Sequence, residues 1–253
     1  MTLDELVLQP LRGVPLVEAG DDLATVVMIG LRASGLTLED GDVLVLAQKI
    51  VSKAEGRSVD LRGVTPSPRA LELAATTGKD PRLVELILSE STAVVRACPG
   101  VLIVEHRLGM ILANAGIDRS NVPGSHHALL LPSDPDRSSA DLRRAVAERT
   151  GARVGVLIID SIGRAWRNGT IGTAIGASGV PTLLDLRGRP DLFDRILETT
   201  EVGWADELAA AASLVMGQAN EGRPIVLARG LAAVAGDGSA RALLRAKEKD
   251  LFR

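Results

Sequence analysis

Residues 154–188 read VGVLIIDSIGRAWRNGTIGTAIGASGVPTLLDLRG. The run Val154 to Ile159 is continuous, apolar and rich in Val and Ile, the pattern of a strand buried on both faces. It predicts a strand that ends at Asp160-Ser161. A carboxylate at such a strand end is costly to desolvate unless a metal ion or a cationic neighbour pairs with it. Gly163, Arg164, Arg167, Asn168 and Gly169 follow at once, then Gly172, Gly176 and Gly179. Glycine lets a backbone approach a ligand closely, and arginine grips phosphate or carboxylate in a bidentate fork. Two readings are open: a metal and phosphate site, or a strand, a turn and a surface ion pair.

N-terminal to this stretch, Val14-Pro15-Leu16 precedes Asp21 and Asp22, either of which can cap a helix from Leu23 to about Ala33. Val43 to Ala47 reads as a second buried strand. The polar run Gln48 to Arg57 follows it directly, where α/β proteins commonly place ligands. Lys49 and Lys53 there suit phosphate; an ordinary solvated loop is the alternative. Pro68 to Thr76 and Pro81 to Glu90 are expected helices, each opened by proline. Ala93 to Ala97, Val101 to Glu105 and Met110 to Ala113 read as short strands. The polar run Asn114 to Val122 then offers Asp118 and Asn121 to a hard cation, or to an Asx-turn. Ser133 to Ser139 reads as a loop, Asp141 to Thr150 and Glu201 to Gln218 as helices, and Pro224 to Ala228 as a strand. The cationic tail Arg241 to Arg253 suits a helix, closing over an anion or lying on the surface. The class is α+β, with mixed sheets and flanking helices in place of strict βαβ alternation. The chain holds neither a Walker loop nor a glycine-rich dinucleotide fingerprint.

The bulk numbers remove several function classes. A net charge of -3, with two Trp, two Phe and no Tyr, supplies neither the basic field nor the stacking surface of a nucleic-acid binder. No unbroken apolar run is long enough to span a membrane, and the N-terminus lacks a signal-peptide pattern. One cysteine, Cys98, excludes an intramolecular disulfide and fits a cytoplasmic protein. It reads as a small core residue. His106, His126 and His127 show no zinc spacing.

Four polar clusters thus follow apolar runs: Lys49 to Arg57, Asn114 to Asn121, Asp160 to Asn168 and Gln218 to Arg223. Val51-Ser-Lys-Ala-Glu-Gly-Arg57, Ala113-Asn-Ala-Gly-Ile-Asp-Arg-Ser-Asn121, Asp160-Ser-Ile-Gly-Arg-Ala-Trp-Arg-Asn-Gly169, Asp185-Leu-Arg-Gly188 and Gly217-Gln-Ala-Asn-Glu-Gly222 resemble, in order, the motifs of the coenzyme F-420 glutamate ligase family. Asp250 to Arg253 also resembles that family's end. The likeness spans nearly the whole chain, as a single ligase module or two interleaved subdomains, without the nitroreductase-like domain some bacterial relatives carry.

The resemblance implies a GTP-dependent ligase that joins L-glutamate to a glutamate-free deazaflavin precursor and then extends the tail through γ-linkages. It implies magnesium or manganese, with potassium as a candidate further cation, and a homodimer. Carried over by position, Asp118, Asp160, Ser161 and Gln218 resemble metal ligands. Val14, Pro15, Leu16, Gln48, Lys53, Asn121 and the segment Met216, Gly217, Gln218, Ala219, Asn220, Glu221, Gly222, Arg223 resemble GTP contacts. Ser161, Ile162 and Ala165 stand where the family usually has Thr, Phe and Pro; serine keeps the hydroxyl.

The chemistry suits these residues. Amide formation needs an activated acyl group, and phosphoryl transfer needs charge neutralised by metal and by cations such as Lys53, Arg164 and Arg167. Hard oxygen ligands suit magnesium or manganese. A metal-dependent phosphohydrolase would use the same carboxylates, and a non-catalytic nucleotide-binding module would need only the binding residues. Asp118 and Asp160 are expected at the ends of neighbouring strands of one sheet, sharing one metal cluster.

Overall fold

The computed structural model describes residues 5–122, 124–231 and 236–250. In chain order the elements are β1 (Val7–Pro10), α1 (Leu23–Ser34), β2 (Val43–Ala47), α2 (Gln48–Ala54), β3 (Ser58–Asp60), α3 (Pro68–Thr77), α4 (Pro81–Ser89), β4 (Ser91–Cys98), β5 (Val101–His106), β6 (Ile111–Ala113), β7 (His127–Leu129), α5 (Pro135–Thr150), β8 (Gly155–Arg164), β9 (Arg167–Ser178), β10 (Leu184–Asp185), β11 (Glu201–Val202), α6 (Trp204–Met216) and β12 (Ile225–Arg229).

The main sheet has the order β1-β12-β2-β8-β9. Within it β2 and β8 are parallel, with Ala47 opposite Ile159, and the other pairs are antiparallel. Period-2 alternation divides the apolar residues of β2 and β8 between two cores. Leu44, Leu46, Val156 and Ile158 pack beneath α1 and α5, with Val27, Leu31, Leu142 and Val146. Val43, Val45, Leu157 and Ile159 pack against α6, with Leu208, Ala209 and Ala212. Both faces are covered, which is why these strands read as unbroken apolar runs. A second unit sets α3 and α4 on the antiparallel sheet β4-β5-β6, around Leu73, Val84, Ile87, Leu102 and Val104.

The two units meet at Glu90, which follows α4. Its carboxylate accepts from Arg57 Nη2 at 2.8 Å and Arg107 Nε at 3.0 Å, and the fully buried His106 places Nε2 3.5 Å away. Arg57 also donates to the Leu131 carbonyl at 3.0 Å. His106 Nδ1 accepts from the Leu108 amide at 3.0 Å, so the Nε2 side carries the proton that faces Glu90.

Several helix starts follow their local signals. Asp22 caps α1, Ser67 caps α3 ahead of Pro68, and Asp80 caps α4 ahead of Pro81. Other expectations are corrected. The strand does not end at Asp160: β8 runs on to Arg164 and turns into β9 through the Ala165-Trp166 hairpin. The glycine-rich stretch is therefore a strand. Gly172 and Gly176 are glycines because helices pass over them: a Cβ on Gly172 would lie 2.4 Å from the Ala209 carbonyl and 2.6 Å from Ser213 Cβ, and one on Gly176 would lie 2.4 Å from the Pro135 carbonyl. Gln48 to Ala54 is helical, not a loop. The segment read as a loop at Ser133 to Ser139 contains the start of α5, capped by Asp134. The described part of the tail forms two 3-10 turns, Ala240–Leu243 and Lys247–Lys249, in place of an α-helix; Leu251, Phe252 and Arg253 lie outside the described residues. Among the described residues no helix is long and apolar enough to cross a membrane.

Candidate active site

The parallel pair decides where polar groups gather. β2 and β8 end their apolar runs at the same level, so Gln48 and Asp160 emerge side by side at the carboxyl ends of the strands. The segment before β12 arrives at the same edge, where the Ala47 amide donates to the Pro224 carbonyl at 2.8 Å. The loop after β6 comes from the other sheet. Asp118 and Asp160 are therefore not on neighbouring strands of one sheet, as the sequence suggested; they approach from two different sheets.

They approach closely enough to feel each other. Burial is the main cause that pushes the Asp160 carboxyl up to about 6; the Asp118 charge pushes the same way, while the Ser161 amide, Lys49 and Gln48 pull against it. For Asp118, burial raises, but hydrogen bonds from Lys49 and the Ser120 amide outweigh it and hold the carboxyl below its ordinary value. Lys49 Nζ sits 2.7 Å from Asp118 Oδ2 and donates to Ser120 Oγ at 2.7 Å. Asp118 Oδ1 takes the Ser120 amide at 2.6 Å, so the Asx-turn and the charged cluster are both present. Lys53, one helical turn on from Lys49, is partly buried; burial first, then repulsion from Lys49, lowers its pKa.

Beside Asp160, the Ser161 hydroxyl donates to Gln218 Oε1 at 2.5 Å. The loop after α6 is tied in through Asn121, whose Nδ2 donates to the Ala219 carbonyl at 3.0 Å. Ala219 in turn donates its amide to Glu221 at 2.8 Å. Gly217 caps α6 with φ 78°, turning the chain back toward this edge. The loop that carries Val14, Pro15 and Leu16 reaches the other end of α2 only at Gly20, whose amide donates to the Ala54 carbonyl at 2.9 Å, while Val14 lies beside Gly30 of α1.

Asp118, Asp160, Ser161 and Gln218, the four residues expected to hold metal, thus gather at one edge of the sheet, with Lys49 paired to Asp118. Two carboxylates, one hydroxyl and one amide oxygen form a hard donor set, and two carboxylates that repel across a gap fit a cation between them. Among the described residues no three of His, Cys, Asp or Glu cluster, so the serine and glutamine must complete any such set. Other expected residues stand elsewhere. Arg164 and Arg167 face each other at the hairpin tip, where Arg164 donates to the Asn168 carbonyl at 3.2 Å. Among the described residues neither pairs with a member of the cluster. Gln48 is 1% exposed, so its side chain is buried beneath the site. Sequence reasoning offered Lys49 only to phosphate and overlooked Ser52 and Ser213. For Ser52 a signal existed, since it lies four residues after Gln48 on one helix face.

A family model described as F420-0:Gamma-glutamyl ligase matches residues 13–230. The chain belongs to that family. The chain is 49% identical over 243 residues to the coenzyme F420:L-glutamate ligase of Methanothermobacter thermautotrophicus, covering 95% of this chain and 96% of that protein. It is 50% identical over 241 residues to that of Methanopyrus kandleri, covering 94% and 93%, and 46% identical over 244 residues to that of Archaeoglobus fulgidus, covering 96% and 95%. The matched span takes in all four polar clusters, so the site described above lies wholly within the family's boundaries.

Proposed function

We propose that this chain is a GTP-dependent ligase of coenzyme F420 biosynthesis that joins L-glutamate to the glutamate-free deazaflavin precursor and adds further γ-linked glutamates. Membership of the family supports an enzyme that ligates glutamate. The observation that supports the finer reading is the gathering of Asp118, with its Lys49 partner, beside Asp160, Ser161 and Gln218 at the ends of β2 and β8.

The substrate carboxylate oxygen attacks the γ-phosphorus of GTP and GDP leaves, giving an acyl phosphate. The glutamate amine then attacks the acyl carbon, losing one proton as phosphate departs. No covalent bond to the protein is needed. Magnesium or manganese, when bound, neutralises phosphate charge during this transfer. Asp118, Asp160, Ser161 and Gln218 would hold it. Lys49 and Lys53 present two ammonium groups one helical turn apart, suited to a triphosphate. Asn121 and the Met216 to Arg223 loop line the approach for the nucleotide. Arg167, exposed at the hairpin tip, and the half-buried Arg164 beside it suit the carboxylates of an incoming acceptor better than the γ-phosphate. The active form is a homodimer in the family's manner, with strands of the middle of the chain in the contact; light scattering that returned 26.5 kDa would refute it.

The test is one incubation of the chain with GTP, manganese, L-glutamate and the precursor, read by mass for added glutamyl units. Ligation with GTP exceeding that with ATP supports the reading. Phosphate release undiminished without precursor or glutamate favours the phosphohydrolase, and GTP binding without turnover favours a binding module.

A further inference from the structure

Two buried serines stand behind the cluster in a matched arrangement. On one side the Ser52 hydroxyl, fully buried on α2, donates to Gln48 Oε1 at 2.8 Å. That leaves Gln48 Nε2 buried and without a hydrogen-bond partner among the described residues, on the residue that stands beside Asp160 in the parallel register of β2 and β8. On the other side Gln218 Nε2 donates to the Ser213 hydroxyl on α6 at 2.7 Å. That leaves Gln218 Oε1 facing Ser161 at 2.5 Å. The two amides thus flank adjacent residues of β8: Gln48, with a spare donor, stands beside Asp160, and Gln218 presents its acceptor to Ser161.

A primary amide has a donor end and an acceptor end of nearly equal shape. An ionised carboxylate accepts only, so it selects the nitrogen of Gln48. A cation selects the oxygen of Gln218. A hydroxyl can donate or accept, so each serine satisfies the amide end that the site leaves over. Gly172 makes the second arrangement possible: it stands opposite Ser161 in the β8–β9 register, and its missing Cβ is the space in which α6 brings Ser213 down to the sheet.

We propose that Ser52 and Ser213 are positioning residues that anchor the Gln48 and Gln218 amides in opposite senses, so that Asp160 keeps a donor behind it and the cation meets an amide oxygen. The inference rests on the metal reading above. It also moves the Gln48 side chain from the nucleotide to the support of Asp160.

The test is titration of manganese by electron paramagnetic resonance, without nucleotide, into the parent chain and the variants Ser52→Ala, Ser213→Ala and Gln48→Met. Melting temperatures of the metal-free proteins are measured alongside. Each variant is expected to bind manganese roughly tenfold or more weakly, the usual consequence of losing a residue that orients a ligand. Combining Ser52→Ala with Gln48→Met should add little to Gln48→Met alone, since both act through one amide. Asp160→Ala serves as the control for the site itself. If the parent binds manganese, Asp160→Ala does not, and both serine variants bind as the parent does, the positioning roles are overturned and the metal site stands. The same holds if the serine variants melt lower yet keep the parent's affinity below their transitions. If the parent binds no manganese, or Asp160→Ala binds it equally well, the metal reading fails and the inference falls with it.

Discussion

Glu90 and Asp160 are both carboxylates drawn into the protein, and their surroundings move them in opposite directions. Burial alone would raise Glu90, but His106, 3.5 Å away, and the hydrogen bonds from Arg107 and Arg57 more than offset it and hold the carboxyl at about 2. Asp160 is pushed up to about 6 by burial and by Asp118, with Lys49 already engaged by Asp118. One carboxylate has more positive partners than it needs; two share a single close lysine. Surplus compensation in the first case ties two units of the fold together. A deficit in the second is what the proposed metal ion would make good. The contrast separates a structural ion cluster from a ligand site more clearly than the presence of buried charge does.

The sharpest way to break this contrast is Asp160→Ala. It is expected to lower ligation by roughly a thousandfold, the scale of losing a group that stabilises transition-state charge, while circular dichroism stays that of the parent. Activity within a few-fold of the parent would end the assignment of Asp160 to the site.

Glu90→Gln should do the reverse. Removing one partner of a fully buried pair costs about 3–5 kcal/mol. Here the cost should be about 2–3 kcal/mol, because the Arg107 side chain is 36% exposed and water takes over part of its charge. Chemical denaturation would measure it. Turnover per folded molecule should stay near that of the parent; a large fall in turnover with unchanged stability would erase the distinction between the two clusters.

Much of this molecule was legible from local signals, and the failures share a cause. The bounds of β2 match the apolar run Val43 to Ala47, and α1, α3 and α4 start where Asp22, Pro68 and Pro81 say they should. What was missed depends on contacts distant in sequence. α2 begins without a side-chain cap, because Ala47 hands the chain directly from strand to helix. β8 continues past Asp160 because β9 pairs with it, which no periodicity in Ser161 to Arg164 announces. Gly172 looked like a ligand-facing glycine because α6, which passes over it, lies more than thirty residues on in sequence. The site residues were legible as types at strand ends. The approach of Asp118 and Asp160 from different sheets, and the hydrogen bonds of Ser52 and Ser213 with the two glutamines, were not.

A double-mutant cycle measures how far Asp118 and Asp160 form one unit. Each single alanine variant should weaken manganese binding strongly when titrated by calorimetry with nucleotide present. The double should cost little more than the worse single, with a coupling of about 1–3 kcal/mol, as members of one site do. Fully additive losses, or normal binding in either single variant, would place the two carboxylates in separate sites and dissolve one side of the comparison.

The smallest expected effect is the most direct reading of the Glu90 side. Its carboxyl is lowered in the folded chain from an ordinary 4.5 to about 2. A lowered carboxyl contributes stability that is fully present above the unfolded value and is lost as pH falls toward the folded one, because the unfolded chain takes up the proton first. The window is therefore pH 5 to about 2. By pH 4 the loss from this one group should be about 1 kcal/mol, since the unfolded carboxyl is then mostly protonated and the folded one is not. Other lowered carboxylates, Asp60 and Asp185 among them, titrate in the same window, so the parent alone does not isolate it. The gap in unfolding free energy between the parent and Glu90→Gln does. That gap should be constant from pH 7 to 5, shrink by about 1 kcal/mol at pH 4, and keep closing below that. A gap that stayed level down to pH 4 would mean that Glu90 is not held down by its arginines, and that its cluster is no better compensated than the one around Asp160.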